Sequence, residues 1–184
     1  QLGQHPIERS DTITVMEKIG HFLDAEVQTI FDKYKDQGYG NKEITDFIVK
    51  ELSVRRILSR AAKDFDGGYA MAGMFGHGDS FVLRDPNGIR PAYFYQDDEV
   101  VVVASERPAI QTTFNVPFEK IHEVKPGHAI VIKKDGRVKH DLVREPGEKK
   151  SCSFERIYFS RGTDKEIYEE RKLLGYYLCE RILK

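Results

Sequence analysis

Apolar residues recur at helical spacing in two stretches before residue 66, in short strand-like runs as far as residue 142, and at helical spacing again near the end. Ile13, Met16, Ile19, Phe22 or Leu23, Val27 and Ile30 form the first stripe, which predicts an amphipathic helix from about Thr12 to Lys35. Ser10 or Asp11 suits its N-cap, and a carboxylate at Asp11 is favourable at the positive end of the helix dipole. Gly38, Gly40 and Asn41 interrupt the pattern. Ile44, Phe47, Ile48, Leu52, Ile57 and Leu58 then predict a second helix ending near Phe65.

Beyond Asp66-Gly67-Gly68 the spacing changes. Residues 69–75 read as a buried strand, residues 76–79 turn the chain, and strands are predicted over 80–83, 92–95 and 100–104. Turns this short predict that successive strands are antiparallel neighbours, and the unbroken run Val100-Val101-Val102-Val103 predicts cover on both faces. Between the second and third strands lies Arg84-Asp85-Pro86-Asn87-Gly88-Ile89-Arg90-Pro91. Pro86 presets φ for a turn, Asn87 and Gly88 tolerate left-handed backbone, and an Arg-Asp pair that pins the turn is the simplest reading of its charges.

Ser105 is the expected N-cap of a short helix with Pro108 in its first turn. Strands over 121–124, 128–132 and 137–142 follow, the last two joined by Lys134-Asp135-Gly136. Residues 145–150 are rich in charge, Pro and Gly and read as a linker, so a boundary is expected there. Residues 153–160 look strand-like, and Thr163-Asp164 caps a last helix carrying Ile167, Leu173 or Leu174, Tyr177 and Leu178.

Composition narrows the function classes. The 184 residues are 40% hydrophobic and 32% charged with a formal net charge of -1, which carries no general bias toward nucleic acid or anionic membranes. The longest apolar run is far too short to span a bilayer, and Cys152 and Cys179 cannot alone make a disulfide framework or a four-cysteine metal site. A cytoplasmic protein with reduced thiols, and with no nucleic-acid or membrane partner, is expected. Gln1–Pro6 has no initiator Met and Leu183-Lys184 closes a helical pattern without a stop signal, so the chain reads as a piece of a longer one.

Candidate chemistry is sparse. His21 lies on the first helix, and His77, His122, His128 and His140 lack the spacing of metal ligands. Asp66-Gly67-Gly68 is followed by a strand, so no helix N-terminus waits there for a phosphate. Asp11, a carboxylate at a helix start, can act as a cap or receive a substrate ammonium group.

Four blocks taken together change this picture. Ser10-Asp11-Thr12, Asp66-Gly67-Gly68-Tyr69-Ala70, Arg84 to Pro91 and Ala104-Ser105-Glu106 resemble, in order and separation, the blocks of class II glutamine amidotransferase domains. Cys152-Ser153-Phe154-Glu155-Arg156-Ile157-Tyr158-Phe159-Ser160-Arg161 is similar to the passage into the phosphoribosyltransferase domain in the amidophosphoribosyltransferase family. The resemblance implies an α+β fold: part of a four-layer αββα N-terminal nucleophile hydrolase with antiparallel sheets over residues 1–150, and the hinge and first helix of a phosphoribosyltransferase domain over 151–184.

In that family glutamine is hydrolysed at one domain and its ammonia is transferred to phosphoribosyl pyrophosphate at the other, in the first step of purine synthesis. The rival readings are a class II amidotransferase with another acceptor, and a non-catalytic paralogue that binds glutamine or regulates. The family's nucleophile is an N-terminal Cys that uses its own α-amine as base, and neither it nor the Arg and Asn-Gly that serve it matches a position here. No residue of this chain is therefore expected to be catalytic, and the fragment alone is expected to be inactive. The resemblance implies that Asp11 binds the α-amino group of glutamine, although many members carry an acidic residue where Ile13 follows Thr12. It also implies interdomain coupling at Tyr158 and Arg171, and places Cys152 where some members have an iron–sulfur ligand and cluster-free members also keep Cys. Mg2+ at the transferase site and a homo-oligomeric assembly are implied for the longer protein.

Overall fold

The computed structural model of the chain describes residues 10–183; Gln1–Pro6, read above as the lead-in, and Arg9 and Lys184 lie outside the described residues. Its contacts divide it into two compact units that interleave along the chain. Of the described residues, the first comprises 10–66, 72–81 and 129–145, and the second 67–71, 82–128 and 146–183.

In the first unit, helix α1 spans Asp11–Lys35, and the choice of cap falls on Ser10, whose side chain accepts the Ile13 N–H at 3.4 Å. Ile30 closes the apolar stripe in full burial, whereas Met16 leaves it and is 66% exposed. The stripe instead admits a charge: the buried carboxylate of Glu26 accepts from Arg56 Nε at 2.9 Å. The single second helix expected from residue 41 to Phe65 is two, α2 over Asn41–Glu51 and α3 over Val54–Ala61, followed by a short 3-10 turn over Ala62–Asp64. Leu52 and Val54 are both buried, a two-residue step that a continuous helix cannot place on one face. Ser53 restarts the helix by accepting the Arg56 N–H at 3.3 Å.

Among the described residues, seven strands follow in two sheets. β1 (Ala70–Met74), β2 (Ser80–Arg84), β6 (His128–Ile132) and β7 (Val138–Leu142) form one in the order β1-β2-β6-β7. β3 (Tyr93–Gln96), β4 (Val101–Ala104) and β5 (His122–Glu123) form the other in the order β4-β3-β5. Short turns do make antiparallel neighbours of β3 and β4, with Tyr93 opposite Ala104 and Gln96 opposite Val101. The expected succession fails between β2 and β3, because residues 85–92 carry the chain from one sheet into the other. Two other expectations are corrected by position in the sheets. β1 is an edge strand whose residues alternate between half-buried and exposed, with Met74 77% exposed. β4 is also an edge, and its four residues are all half-buried rather than covered on both faces.

In the second unit, Tyr93, Tyr95, Val102 and Ala104 share a face of the small sheet and pack on Ile110, Val116 and Ile121. Ile110 comes from α4, Arg107–Phe114, whose N-cap is Glu106 and not Ser105, with Pro108 in the first turn. Asn115 ends α4 in left-handed backbone at φ 49°. The strand expected over 153–160 is a π-helical turn, Glu155–Phe159, closed by Ser160 N–H donating to Glu155 C=O at 2.7 Å. The last helix, α5, spans Lys165–Ile182 with Asp164 as its N-cap.

Candidate functional site

The residues with the most elaborate surroundings lie in the second unit, around the turn from Arg84 to Pro91. Arg84 and Asp85 are both buried, at 2% and 0% exposure, and each is satisfied by its own set of partners. The Arg84 guanidinium donates to the carbonyls of Arg90 at 2.7 Å, Gly88 at 3.0 Å and Val124 at 2.6 Å, and to Glu123 at 2.8 Å. Asp85 Oδ1 accepts the N–H groups of Asn87 and Ile89, both at 3.0 Å, and its Oδ2 accepts that of Arg90 at 3.1 Å. The simple Arg-Asp pair is thus replaced by a carboxylate that organises the inside of the turn and a guanidinium that ties it to the β5 region. Glu123 carries no sequence signal for this role. Burial opposes its charge, but the Lys149 and Arg84 hydrogen bonds outweigh that and hold its carboxyl below the usual glutamate range.

The turn then receives the stretch whose composition reads as a linker. Gly147 N–H donates to Pro86 C=O at 2.9 Å, Lys150 N–H to Asn87 C=O at 2.8 Å, and the Asn87 side-chain amide to Glu148 C=O at 3.0 Å. Arg90 pairs with Glu155 one step further on. Charge, Pro and Gly describe a segment without a core of its own, and here main-chain hydrogen bonds supply what side chains do not.

A cleft lies beside this seam, lined among others by Arg84, Tyr93, Arg107, Cys152, Arg156 and Asp164. Arg107 is its most constrained member. The guanidinium is 4.7 Å from the Tyr93 ring and 4.6 Å from that of Phe118, and it meets the buried Asp164 in a forked pair at 2.8 and 3.2 Å. Glu166 accepts from the same guanidinium at 2.5 Å. Burial opposes the Arg107 charge, and these carboxylates outweigh it, so its pKa is raised; Glu166, hydrogen-bonded to Arg107, is held below the usual glutamate range. Burial also pushes the Tyr93 hydroxyl up.

The other expected site residues fall in separate places. Asp11 is exposed in the first turn of α1, in the first unit, where a carboxylate is open to an approaching cation. Arg171 reaches from α5 to the carbonyls of Arg156, Ile157 and Ser160 at 3.3, 2.9 and 2.5 Å and so holds the π-helical turn. Tyr158, on that turn, is 77% exposed and edge-on to Phe159. Cys152 is a half-buried free thiol and Cys179 an exposed one. Among the described residues no three His, Cys, Asp or Glu side chains gather as a metal would need. No described helix is long and apolar enough to cross a membrane.

Comparison with known proteins gives these features a context. Curated relatives include the amidophosphoribosyltransferases of Pasteurella multocida, 33% identical over 136 residues (69% of this chain, 26% of the relative), and Escherichia coli, 34% identical over 128 residues (64% and 25%). That of Archaeoglobus fulgidus is 29% identical over 156 residues, covering 82% of this chain and 33% of the relative. The chain spans about a quarter of the length of the first two relatives. A solved structure, the glutamine phosphoribosylpyrophosphate amidotransferase from B. subtilis complexed with ADP and GMP, superimposes with a TM-score of 0.51 at 25% identity, covering 76% of this chain and 31% of that one. The α+β arrangement of helices and antiparallel sheets is that of an N-terminal nucleophile hydrolase. Residues 2–112, more than half of the chain, match the glutamine amidotransferase domain family, and the protein belongs to that family.

Proposed function

We propose that the protein carrying this chain is an amidophosphoribosyltransferase. Glutamine loses its side-chain amide to water, giving glutamate and ammonia. The ammonia lone pair then forms a bond to C1 of phosphoribosyl pyrophosphate as the C1–O bond breaks, pyrophosphate leaves with that electron pair, and a proton is lost to give phosphoribosylamine. The observation that carries this reading over another class II amidotransferase is the identity of the relatives: those 33% and 34% identical, over 136 and 128 residues, are amidophosphoribosyltransferases.

In this reading residues 1–150 belong to the glutaminase and residues 151–184 open the phosphoribosyltransferase domain. Asp11 receives the α-ammonium of glutamine, a role supported by its exposed carboxylate at a helix start. Tyr158 and Arg171 sit where the two parts meet in sequence. Arg171 supports the connector through three carbonyls, and Tyr158 offers an exposed ring to the remainder of the protein. Mg2+, and a cluster using Cys152 where one exists, require ligands from outside this chain. The chain alone does not turn over glutamine, and the longer protein works in the cytoplasm as a homo-oligomer.

The test is an assay of the full-length protein with glutamine and phosphoribosyl pyrophosphate, following glutamate and pyrophosphate together. Equimolar release is expected. Glutamate release that is accompanied by no pyrophosphate would assign a different acceptor, and release of neither would favour the non-catalytic paralogue.

A further inference from the structure

Arg107 and Asp164 lie on either side of the end of the family match: Arg107 falls inside residues 2–112 and Asp164 lies 52 residues past the end of that match. Their forked pair, 7% and 6% exposed at the side chains, is the most buried ion pair that spans this limit in the second unit. Both ends of the pair have a second duty. Arg107 is the first residue of α4 and is gripped between Tyr93 of β3 and Phe118. Asp164 is the N-cap of α5, its Oδ1 accepting the N–H groups of Glu166 at 3.0 Å and Ile167 at 3.3 Å. Glu166 adds a second carboxylate to the same guanidinium at 2.5 Å, and Ile167 is buried beside the cap.

The carboxylate that starts α5 is therefore held in place by a cation belonging to the sheet and α4. A bidentate fork fixes direction as well as distance, which a Lys ammonium does not. From α5, Arg171 passes the constraint back to the π-helical turn through the carbonyls of Arg156, Ile157 and Ser160.

We infer that Arg107 is a positioning residue, which through its fork to Asp164 sets the first turn of α5 against α4 and so keeps ammonia release matched to ammonia use. The inference rests on the amidophosphoribosyltransferase reading. Arg107 touches neither substrate in it; its effect passes through Asp164 and α5.

Full-length protein is compared with Arg107→Lys and Arg107→Met in three assays: glutamine hydrolysis alone, phosphoribosylamine formation from supplied ammonia, and phosphoribosylamine formed per glutamine hydrolysed. Both variants are expected to keep the first two rates within about twofold while the ratio falls at least threefold, and hydrogen exchange at the Glu166 and Ile167 amides is expected to rise at least tenfold. A variant ratio equal to that of the unaltered protein, or three readouts that fall in proportion, overturns the inference. If Arg107→Met does not fold, Arg107→Lys, which keeps the charge, decides the matter. Failure of the unaltered protein to make phosphoribosylamine would overturn the functional reading instead, and unchanged amide exchange in the variants would still refute the positioning role.

Discussion

Glu123 takes the Nη1 of Arg84 at 2.8 Å from a strand of only two residues, and in doing so fastens the turn that follows β2 to the segment that follows α4. Arg84 is buried and Glu123 is partly open to solvent, so the two ends of the pair carry unequal weight.

Arg84→Met removes a cation from beneath three carbonyls and a carboxylate, and is expected to cost about 3–5 kcal/mol, the range for stripping one partner from a buried charged network. Arg84→Lys restores the charge without the fork and should recover less than half of that. Glu123→Gln should cost no more than about 1 kcal/mol, since its partner keeps three carbonyls. Urea unfolding curves of the three variants check the order.

Gly68→Ala is expected to destabilise by about 1–3 kcal/mol through overpacking. An added Cβ would lie 2.6 Å from Ile89 Cγ2 and 2.7 Å from Ile89 Cβ, and a branch point so close to the main chain cannot swing aside. Gly67, at φ 79°, supplies the left-handed backbone beside it. The second substitution Ile89→Ala should relieve part of the Gly68→Ala cost, which a double-mutant cycle measures; additive losses would contradict the contact.

Asp79 sets a pH dependence of the first unit. Burial by itself would raise its pKa, but hydrogen bonds from Lys133 and the Lys134 N–H, the His77 Nε2 lying 2.9 Å away and the Lys133 charge outweigh burial and hold the carboxyl below its ordinary 3.8. A depressed folded pKa contributes stability that is complete above the unfolded value and is lost as pH falls through the folded one. The stability difference between the unaltered protein and Asp79→Asn should therefore be flat above about pH 5 and shrink as pH drops below about 4. Chemical denaturation at a series of pH values tests this, and a difference that widens in acid would reverse the sign.

Asp11→Asn in the full-length protein should raise the KM for glutamine by about ten- to a hundredfold, the value of a hydrogen bond between two charged groups, with a much smaller change in kcat. Its exposure at the first turn of α1 limits the structural cost to a helix-dipole contribution of about 0.5 kcal/mol, so the melting temperature should scarcely move. An unchanged KM would remove Asp11 from glutamine binding.

Local chemistry carried much of the fold in the sequence itself. The stripe of α1, the Ser10 cap, the hairpin of β3 and β4, the Pro86-Asn87-Gly88 turn and the Asp164 cap depend on residues within a few positions of one another, and period, φ preference and capping are legible over that range. The four blocks that carry the family resemblance were legible too, because they are short and ordered. Only the tertiary structure decided that residues 85–92 change sheets, that residues 147–150 are bonded along the turn, that helix phase breaks at Ser53, and that Glu123 and Asp164 are the partners of Arg84 and Arg107. Those pairings span 39 and 57 residues of chain. No periodicity links such positions, and a carboxylate's choice among many cations is made only when packing has excluded water from one of them. The turn at Arg84 was therefore visible from its residues, while the reason for its two opposite charges, each with its own buried partners, lay in the folded chain.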